Sequence, residues 1–308
     1  MNQKVSIIGA GMTGSTTAQW IASREIADIV LVDIVEGMPQ GKALDLQEAL
    51  PIIGKDVRIT GSNNYEATQD SDIVIITAGL PRKPGMSRDD LLFTNADIVR
   101  KATEETTKYA PNAIFIILTN PLDVMSYVAL KTAQIAPHKI IGQAGILDSA
   151  RMRAFVAMEL NVSVENIHCY VLGGHGDDMV PLTSISNVAG VPLNKILSEE
   201  RLTAIVERTR KGGGEIVSLL KQGSAYYAPS AALAQMTEAI LKDKHLVAPV
   251  AAYLQGEYTL HDIFFGVNAQ LGKDGIEKII EYELNTDEMD ALKKSAKGVA
   301  ENIAKLEI

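Results

Sequence analysis

The first 145 residues contain short apolar runs that alternate with helix-length segments. Several runs are apolar at consecutive positions and rich in valine and isoleucine, which is typical of strands covered on both faces. The runs lie at 4–9, 28–33, 57–62, 72–79, 113–120 and 139–143. Helical patterns fill the gaps, for example at 12–23 and 91–109. This repeated order predicts an α/β fold with a doubly wound parallel sheet and right-handed crossovers.

The pattern changes after about residue 148. Residues 149–160 indicate a helix, and two short apolar segments after it indicate hairpin strands. Long helical segments at 199–221 and 224–242 precede an antiparallel meander at 245–272 and an amphipathic helix at 286–306. This order predicts a mixed α+β domain. We therefore expect two domains, residues 1–145 and 146–308, in close contact because no Ser- or Gly-rich linker separates them.

Composition excludes several classes of function. The chain has 308 residues, a formal net charge of −9 and one cysteine, Cys169. An acidic chain offers no broad basic face to replace the counterions of a nucleic acid. A single cysteine excludes an intramolecular disulfide and argues against a cysteine-based zinc site, so we expect no metal. No apolar stretch approaches the roughly 20 residues of a membrane span. The N-terminal apolar run is too short for a signal peptide, so we expect a cytoplasmic protein.

The sequence "IIGAGMTGS" places a Gly-rich turn directly after the first predicted strand, at the start of a helix. Gly9 would allow the tight turn, Gly11 would let the backbone approach a pyrophosphate, and Gly14 would permit close packing of helix on strand. The whole turn comprises Gly9, Ala10, Gly11, Met12, Thr13 and Gly14. These features predict a Rossmann-type nucleotide site.

The second predicted strand ends at Asp33. A carboxylate there can accept both ribose hydroxyls of an adenosine and would repel a 2′-phosphate. Ile34 follows at a position where an arginine could have accommodated that phosphate, so the pair favours NAD over NADP. An aspartate at a strand end also caps turns. On this half of the chain alone, S-adenosylmethionine and FAD remain alternatives.

Two motifs carry groups that can bind a substrate. "ILTNP" ends a buried strand with Asn120, whose amide can meet a hydroxyl or a carboxamide; an Asn-Pro turn without a ligand is the alternative. "GILDSAR" places Asp148 and Arg151 at i and i+3, on one side of a helix start. A local alternative for this motif is an N-cap aspartate followed by a surface arginine.

The motif "LGGHGDD" sets His175 between glycines on a bend. Imidazole titrates near neutrality, and a carboxylate such as Asp148 could fix its tautomer and stabilise its protonated form. The alternative is a loop histidine beside two solvated aspartates.

The Gly-rich turn, Asp33, "AGLPRKPGMSR", "TNP", "LDSAR" and "GGHGD" occur together in the order that the malate/lactate dehydrogenase family shows. The chain resembles that family over essentially its whole length. The resemblance implies a Rossmann-type dinucleotide-binding domain followed by a mixed α+β substrate domain, with NAD as the cofactor. It also implies that further residues line the cofactor site, namely Asn95, Leu118, Thr119 and Asn120.

The same resemblance implies roles in hydride transfer. His175 would be the general acid/base, and Asp148 would orient it and stabilise its charge. Arg151 would hold the carboxylate next to the reacting carbon through two charge-assisted hydrogen bonds. Arg88 would polarise the carbonyl oxygen, and Asn120 would help to position the substrate.

A second arginine, Arg82, lies six residues before Arg88 in the loop "GLPRKPGMSRDD". In the family, lactate dehydrogenases carry glutamine near this place and malate dehydrogenases carry arginine. A second substrate carboxylate is costly to bury without a countercharge, whereas pyruvate would leave Arg82 desolvated and unpaired. Arg82 therefore favours a C4 dicarboxylate such as malate or oxaloacetate. We interpret Lys83 as a solvated residue.

Two alternatives to this function follow from the same motifs. One is a dehydrogenase of lactate or of another 2-hydroxy acid, which Arg82 disfavours. The other is a non-catalytic NAD-binding regulator, which has no need of a proton-transfer residue. The resemblance also suggests a homodimer or homotetramer, with the helices at 149–160 and 199–221 as candidate interfaces.

Overall fold

The computed structural model describes residues 3–81 and 87–306. The strands of these ranges are β1 (Lys4–Ile8), β2 (Asp28–Val32), β3 (Ile59–Ser62), β4 (Ile73–Ile76), β5 (Ile114–Ile117), β6 (Ile140–Gly142), β7 (Ile167–His168), β8 (Val171–Leu172), β9 (Val180–Pro181), β10 (Asn187–Val188), β11 (Val191–Pro192), β12 (Leu246–Gln255), β13 (His261–Gly272) and β14 (Gly275–Ile279). The α-helices are α1 (Met12–Ser23), α2 (Met38–Ile53), α3 (Arg88–Tyr109), α4 (Leu122–Ala133), α5 (Gly145–Leu160), α6 (Leu193–Ile196), α7 (Glu199–Leu220), α8 (Tyr227–Leu241) and α9 (Thr286–Ala304).

Six strands from the first half form the parallel part of the main sheet, in the order β3-β2-β1-β4-β5-β6. Each neighbouring pair is parallel. The chain leaves β1 on one side through β2 and β3 and returns to its other side at β4. This reversal opens a crevice at the carboxyl ends of β1 and β4, where open α/β sheets bind ligands. The predicted α/β fold with a doubly wound sheet is confirmed.

Strand β4 shows why these runs are apolar at every position. Ile73 and Ile75 belong to the hydrophobic core on one face of the sheet, whereas Val74 and Ile76 belong to the core on the other face. All four side chains are 0% exposed. Because successive side chains of a strand point to opposite faces, a sheet with helices on both faces requires apolar residues throughout.

The meander of the second half is antiparallel, as predicted. It extends the main sheet of the first half, because β12 pairs antiparallel with the edge strand β6 at Ala251 and Gly142. A Cβ on Gly142 would lie 2.7 Å from the Cβ of Ala251, so glycine permits this close approach. In the described ranges, the sheet therefore has nine strands and continues past residue 145.

Helix α5 begins at Gly145, four residues before its predicted start. A Cβ on Gly145 would lie 2.5 Å from the Cβ of Pro249 and 2.7 Å from the carbonyl oxygen of Val171. Contacts with distant segments thus set where this helix starts, and its first turn contains Asp148. Asp148 is therefore a helical residue and does not cap the helix.

None of the described helices combines the length and apolar composition that crossing a membrane requires.

Candidate active site

The Gly-rich turn links β1 to α1 at the crevice. Gly9 has a φ of 102°, which favours glycine, and a Cβ there would lie 2.8 Å from both Ala78 N and Thr77 Oγ1. A Cβ on Gly14 would collide with the carbonyl oxygen of Gly9. By contrast, a Cβ on Gly11 would meet no atom within 4 Å, and Gly11 is exposed. The turn is thus packed tightly on the protein side and open on the ligand side.

Within the described chain, no side chain caps the N-terminus of α1 at Gly11. The free N–H groups of the first helical turn and the helix dipole favour an anion such as a pyrophosphate. Met12 is 56% exposed at this opening. The carbonyl oxygen of Thr13 accepts a hydrogen bond of 2.9 Å from Ser230 Oγ, which ties the turn to α8. The chemistry of this opening fits a dinucleotide.

Asp33 lies beside the Gly-rich turn. Its Oδ2 accepts a hydrogen bond of 2.7 Å from Ala10 N, and its Oδ1 accepts one of 3.0 Å from Val35 N. The carboxylate therefore caps the following turn and braces the Gly-rich turn, and each of its oxygens has a second lone pair for a ribose hydroxyl. The neighbouring Ile34 is 86% exposed and offers no charge to a 2′-phosphate.

The segment that follows β5 reaches the same crevice. Leu118 is half-buried, and Thr119 is buried and donates from Oγ1 to the carbonyl oxygen of Ala78 at 2.7 Å. Asn120, the next residue, is exposed. Asn95 is 1% exposed, and its amide group bonds to the backbone of Leu80 and to Asn120 O. Asn95 therefore holds these two segments together at the crevice.

Asp148 connects the predicted general acid/base, His175, with the predicted substrate-binding arginine, Arg151. Its Oδ2 lies 2.8 Å from His175 Nδ1, and its Oδ1 lies 3.1 Å from Arg151 Nη1. Asp148 is 2% exposed, whereas the side chains of His175 and Arg151 are 16% and 11% exposed. A buried carboxylate between two groups that each keep one exposed edge can orient both toward a shared ligand.

The electrostatics of His175 favour its protonated form. Burial alone lowers the pKa of His175, but the charge and hydrogen bond of Asp148, together with the charge of Asp123, outweigh burial. The pKa of His175 is therefore raised above its ordinary value of 6.5. A partly exposed histidine whose pKa lies above this ordinary value can exchange a proton with a bound ligand.

The loop that carries His175 is held by residues that sequence analysis missed. Ser295 Oγ of α9 accepts a hydrogen bond of 3.0 Å from Gly174 N, and Asp123 Oδ2 of α4 accepts one of 2.8 Å from His175 N. Asp123 follows Pro121 by two residues, but nothing in its local pattern indicates this contact. Only the packing of α4 and α9 against the loop brings the residues together.

A cavity of about 520 Å³ opens beside Arg151 and His175. One of its walls is α7, which contributes Arg210, Lys211, Gly213 and Gly214. A Cβ on Gly212 would collide with Cδ of Arg151 and lie 2.7 Å from its Nε. The run "GGG" at 212–214 is unusual inside a predicted helix, because glycine is unfavourable in helix interiors, but it does not indicate which side chain packs against it.

Of the two predicted substrate-binding arginines after β4, the structure describes only Arg88. Arg88 is the first residue of α3, which Ser87 and Asp90 cap reciprocally. Its Nη2 lies 3.7 Å from Asp177 Oδ2, and both side chains are more than 80% exposed, so the pair is weak. Asp177 lines the cavity, which places Arg88 beside it. Arg82 lies outside the described residues.

Among the described residues, one group of side chains could reach a single metal ion, namely Asp243, His245 and Glu277. All three are exposed, and none lines the cavity beside His175. The candidate active site therefore consists of the crevice at the Gly-rich turn and the cavity beside Asp148, Arg151 and His175.

Comparisons with known proteins cover both halves of the chain. Residues 3–142 match the family model described as lactate/malate dehydrogenase, NAD binding domain, and residues 146–307 match the model described as lactate/malate dehydrogenase, alpha/beta C-terminal domain. A malate dehydrogenase of Roseiflexus sp. (strain RS-1) is 57% identical over 306 residues, which are 99% of this chain and 99% of that protein.

Solved structures show the same relationship. The apo form of malate dehydrogenase from Picrophilus torridus superposes with a TM-score of 0.97 at 46% identity, over 100% of this chain and 98% of that chain. A lactate dehydrogenase from Cryptosporidium parvum, complexed with lactic acid and β-nicotinamide adenine dinucleotide, has a TM-score of 0.97 at 40% identity. It too covers 100% of this chain, and 98% of its own chain is covered.

Proposed function

The chain belongs to the lactate/malate dehydrogenase family, and from this premise we propose that it is an NAD-dependent malate dehydrogenase. It transfers a hydride reversibly between (S)-malate and oxaloacetate. The observation that carries the proposal is the Asp148 carboxylate, which contacts His175 with one oxygen and Arg151 with the other. Family membership supports the chemistry, and this arrangement supports the roles of individual residues.

NAD, when bound, supplies the nicotinamide that takes the hydride from malate or returns it to oxaloacetate. Asp148 keeps a proton on Nδ1 of His175, so Nε2 is the atom that takes the hydroxyl proton of malate. Arg151 holds the carboxylate next to the reacting carbon. Arg88 polarises the carbonyl oxygen of oxaloacetate, and Asn120 helps to position the substrate.

The cofactor roles stay with the residues that sequence analysis named. We propose that residues 1–145 bind the dinucleotide and that residues 146–308 supply the catalytic groups. The Gly-rich turn would hold the pyrophosphate of NAD, Asp33 would accept the ribose hydroxyls, and Leu118, Thr119 and Asn120 would line the cofactor site. Asn95 supports that segment. The open face at Gly11 and the tight packing of Gly9 and Gly14 support this assignment.

Preference for a dicarboxylate is assigned to Arg82. The guanidinium of Arg82 would pair with the second carboxylate of the substrate, the one that Arg151 does not hold. The described part of the cavity supports an anionic ligand, because its lining includes the cations Arg151, Arg210 and Lys211. Two carboxylates also line it, Asp177 and Glu215, and each faces an arginine, Arg88 and Arg208 respectively.

We further propose that the enzyme is a homodimer or homotetramer in the cytoplasm and serves the tricarboxylic acid cycle. Exposed apolar side chains on two helices support self-association. Met158 of α5 is 68% exposed and Leu219 of α7 is 74% exposed. Light scattering coupled to size-exclusion chromatography should give the mass of two or four chains. A monomer at micromolar concentration would contradict this part of the proposal.

The function is tested by kcat/KM for NADH-dependent reduction of oxaloacetate and of pyruvate. We expect strong preference for oxaloacetate, and Arg82→Gln should lower kcat/KM for oxaloacetate by about 100-fold, because it leaves a buried carboxylate unpaired. Lys83→Gln is the matched control and should keep the preference. A wild type that prefers pyruvate would make the substrate assignment wrong. Turnover of neither substrate would favour a non-catalytic NAD-binding regulator.

A further inference from the structure

Three consecutive backbone N–H groups hold the loop that carries His175. Gly173 N donates to the carbonyl oxygen of Gly266 on β13 at 2.9 Å. Gly174 N donates to Ser295 Oγ on α9 at 3.0 Å, and His175 N donates to Asp123 Oδ2 on α4 at 2.8 Å. Three separate elements thus fix the backbone at His175, and the acceptor next to the histidine is the only ionisable one of the three.

Asp123 is buried to an unusual degree for an aspartate. It is 4% exposed, and its second oxygen, Oδ1, has no hydrogen-bond partner among the described residues. A buried carboxylate with an unpartnered oxygen is costly and requires an explanation. Gly174 packs directly against it, since a Cβ there would lie 3.5 Å from Asp123 Oδ2 and 2.9 Å from Val299 Cγ2. A neutral acceptor, of the kind that Ser295 offers to Gly174 N, would have satisfied His175 N at a lower desolvation cost.

We propose that Asp123 is a positioning residue for the reaction, which fixes His175 from the main-chain side and supports its protonated form with a second negative charge. The proposal rests on the proposed function, in which His175 exchanges the substrate proton. Asp148 bonds to the ring of His175, and Asp123 bonds to its backbone, so the two carboxylates constrain one residue from opposite ends.

Charge at Asp123 depends on pH in the working range. Burial raises the pKa of Asp123 from 3.8 to about 6, although the backbone hydrogen bond from His175 and the charge of His175 lower it. Asp123 in turn raises the pKa of His175. As the pH rises above about 6, the carboxylate of Asp123 therefore becomes mostly charged. Among the described residues, the other charged groups around the loop are Arg151 on α5, Arg88 on α3, Asp177 and Asp178 on the loop, Glu207, Arg210, Lys211 and Glu215 on α7, and Lys294 on α9.

The test is the pH profile of kcat/KM for NAD-dependent malate oxidation in Asp123→Asn. The variant keeps an oxygen acceptor for His175 N but removes the charge. Malate oxidation needs neutral His175, so its acid-side inflection should move to lower pH, by about half a unit or more. We expect kcat to fall about 10-fold through poorer placement of His175, while KM for NAD stays within about twofold.

Ser295→Ala is the matched control, because it removes the neutral acceptor from the neighbouring N–H without changing a charge. It should lower kcat modestly and leave the inflection at the wild-type pH. If Asp123→Asn also kept the wild-type inflection, Asp123 would be only a structural support of the loop, and the proposal would be wrong.

Two NMR measurements test the coupling between the charge of Asp123 and the protonation of His175 without measuring activity. The His175 ring should titrate at lower pH in Asp123→Asn than in wild type, and an unshifted titration would overturn the proposal. In wild type, the carboxyl carbon of Asp123 should show the shift of an ionised group at pH 8, and a protonated group there would also overturn it. The wild-type measurement can overturn the proposal even if the variant fails to fold. If the wild-type protein did not turn over malate at all, the proposed function would be wrong instead.

Discussion

His175 and Asp148 lie 27 residues apart in the sequence, and His175 Nδ1 lies 2.8 Å from Asp148 Oδ2. An ionised carboxylate can only accept hydrogen bonds, so this contact places a proton on Nδ1 and leaves Nε2 for the substrate. The other oxygen of Asp148 holds Arg151. One buried carboxylate therefore sets the position of both His175 and Arg151, to which we assign proton transfer and substrate binding.

Asp148→Asn should lower kcat for malate oxidation by about 10²- to 10⁴-fold, the range expected when a general base loses its orientation and charge partner. The folded structure should persist, since asparagine has nearly the same shape. Steady-state kinetics and circular dichroism check both points. Asp178→Asn is the control, because it makes the same change on an exposed side chain of the same loop. Equal losses in the two variants would contradict the role of Asp148.

The pH dependence of the two reaction directions should be opposite. Oxaloacetate reduction needs protonated His175 and should decline as the pH rises through the raised pKa of His175, whereas malate oxidation should decline as the pH falls through it. Profiles of kcat/KM between about pH 5 and 9 test this expectation. An inflection that lies below 6.5 in both directions would contradict it.

The same shift has a defined sign for stability. Because the folded pKa of His175 is above the ordinary value, the stabilising contribution is complete below pH 6.5 and is lost as the pH rises through the folded pKa. His175→Gln should therefore be more destabilising at pH 6 than at pH 9. Thermal unfolding of both proteins at the two pH values measures the difference. A difference that grows with pH would have the wrong sign.

Gly212→Ala should impair substrate binding without weakening the fold. Alanine is favoured over glycine in a helix by roughly 1 kcal/mol, but its Cβ would collide with Cδ of Arg151. We expect KM for oxaloacetate to rise about 10-fold or more, and the melting temperature to be unchanged or higher. Gly41→Ala in α2 is the control, since a Cβ there meets nothing within 4 Å. It should gain stability and leave KM unchanged.

Asp33→Asn should weaken NADH binding. The substitution removes the charge to which we assign the preference for ribose hydroxyls over a 2′-phosphate, and it weakens the acceptor for Ala10 N. We expect KM for NADH to rise about 10-fold and the discrimination against NADPH to shrink, as measured by kcat/KM with each cofactor. Glu36→Gln, on the exposed turn after Asp33, is the control. A selective loss with NADPH would contradict the assignment.

Local pattern was sufficient for much of the fold. Helix α1 occupies 12–23 as predicted, and the six strands of the first half lie inside their predicted runs. Helix α5 was placed four residues late because packing of Gly145 against Pro249 and Val171 determines its start. The alternative interpretation of Asp148 as the N-cap of this helix was wrong for the same reason, since the helix begins before Asp148.

By itself, the sequence determined the strand–helix alternation, the glycines of the nucleotide turn and the chemical identity of Asp148, Arg151 and His175. These depend on periodicity, on backbone conformation at single residues and on side-chain chemistry, all of which are local. Tertiary structure alone decided that β12 would join β6, that Gly212 would make room for Arg151, and that Asp123 would meet His175 across 52 residues. Contacts between distant segments form only when the packed core brings those segments together, and no local pattern encodes them.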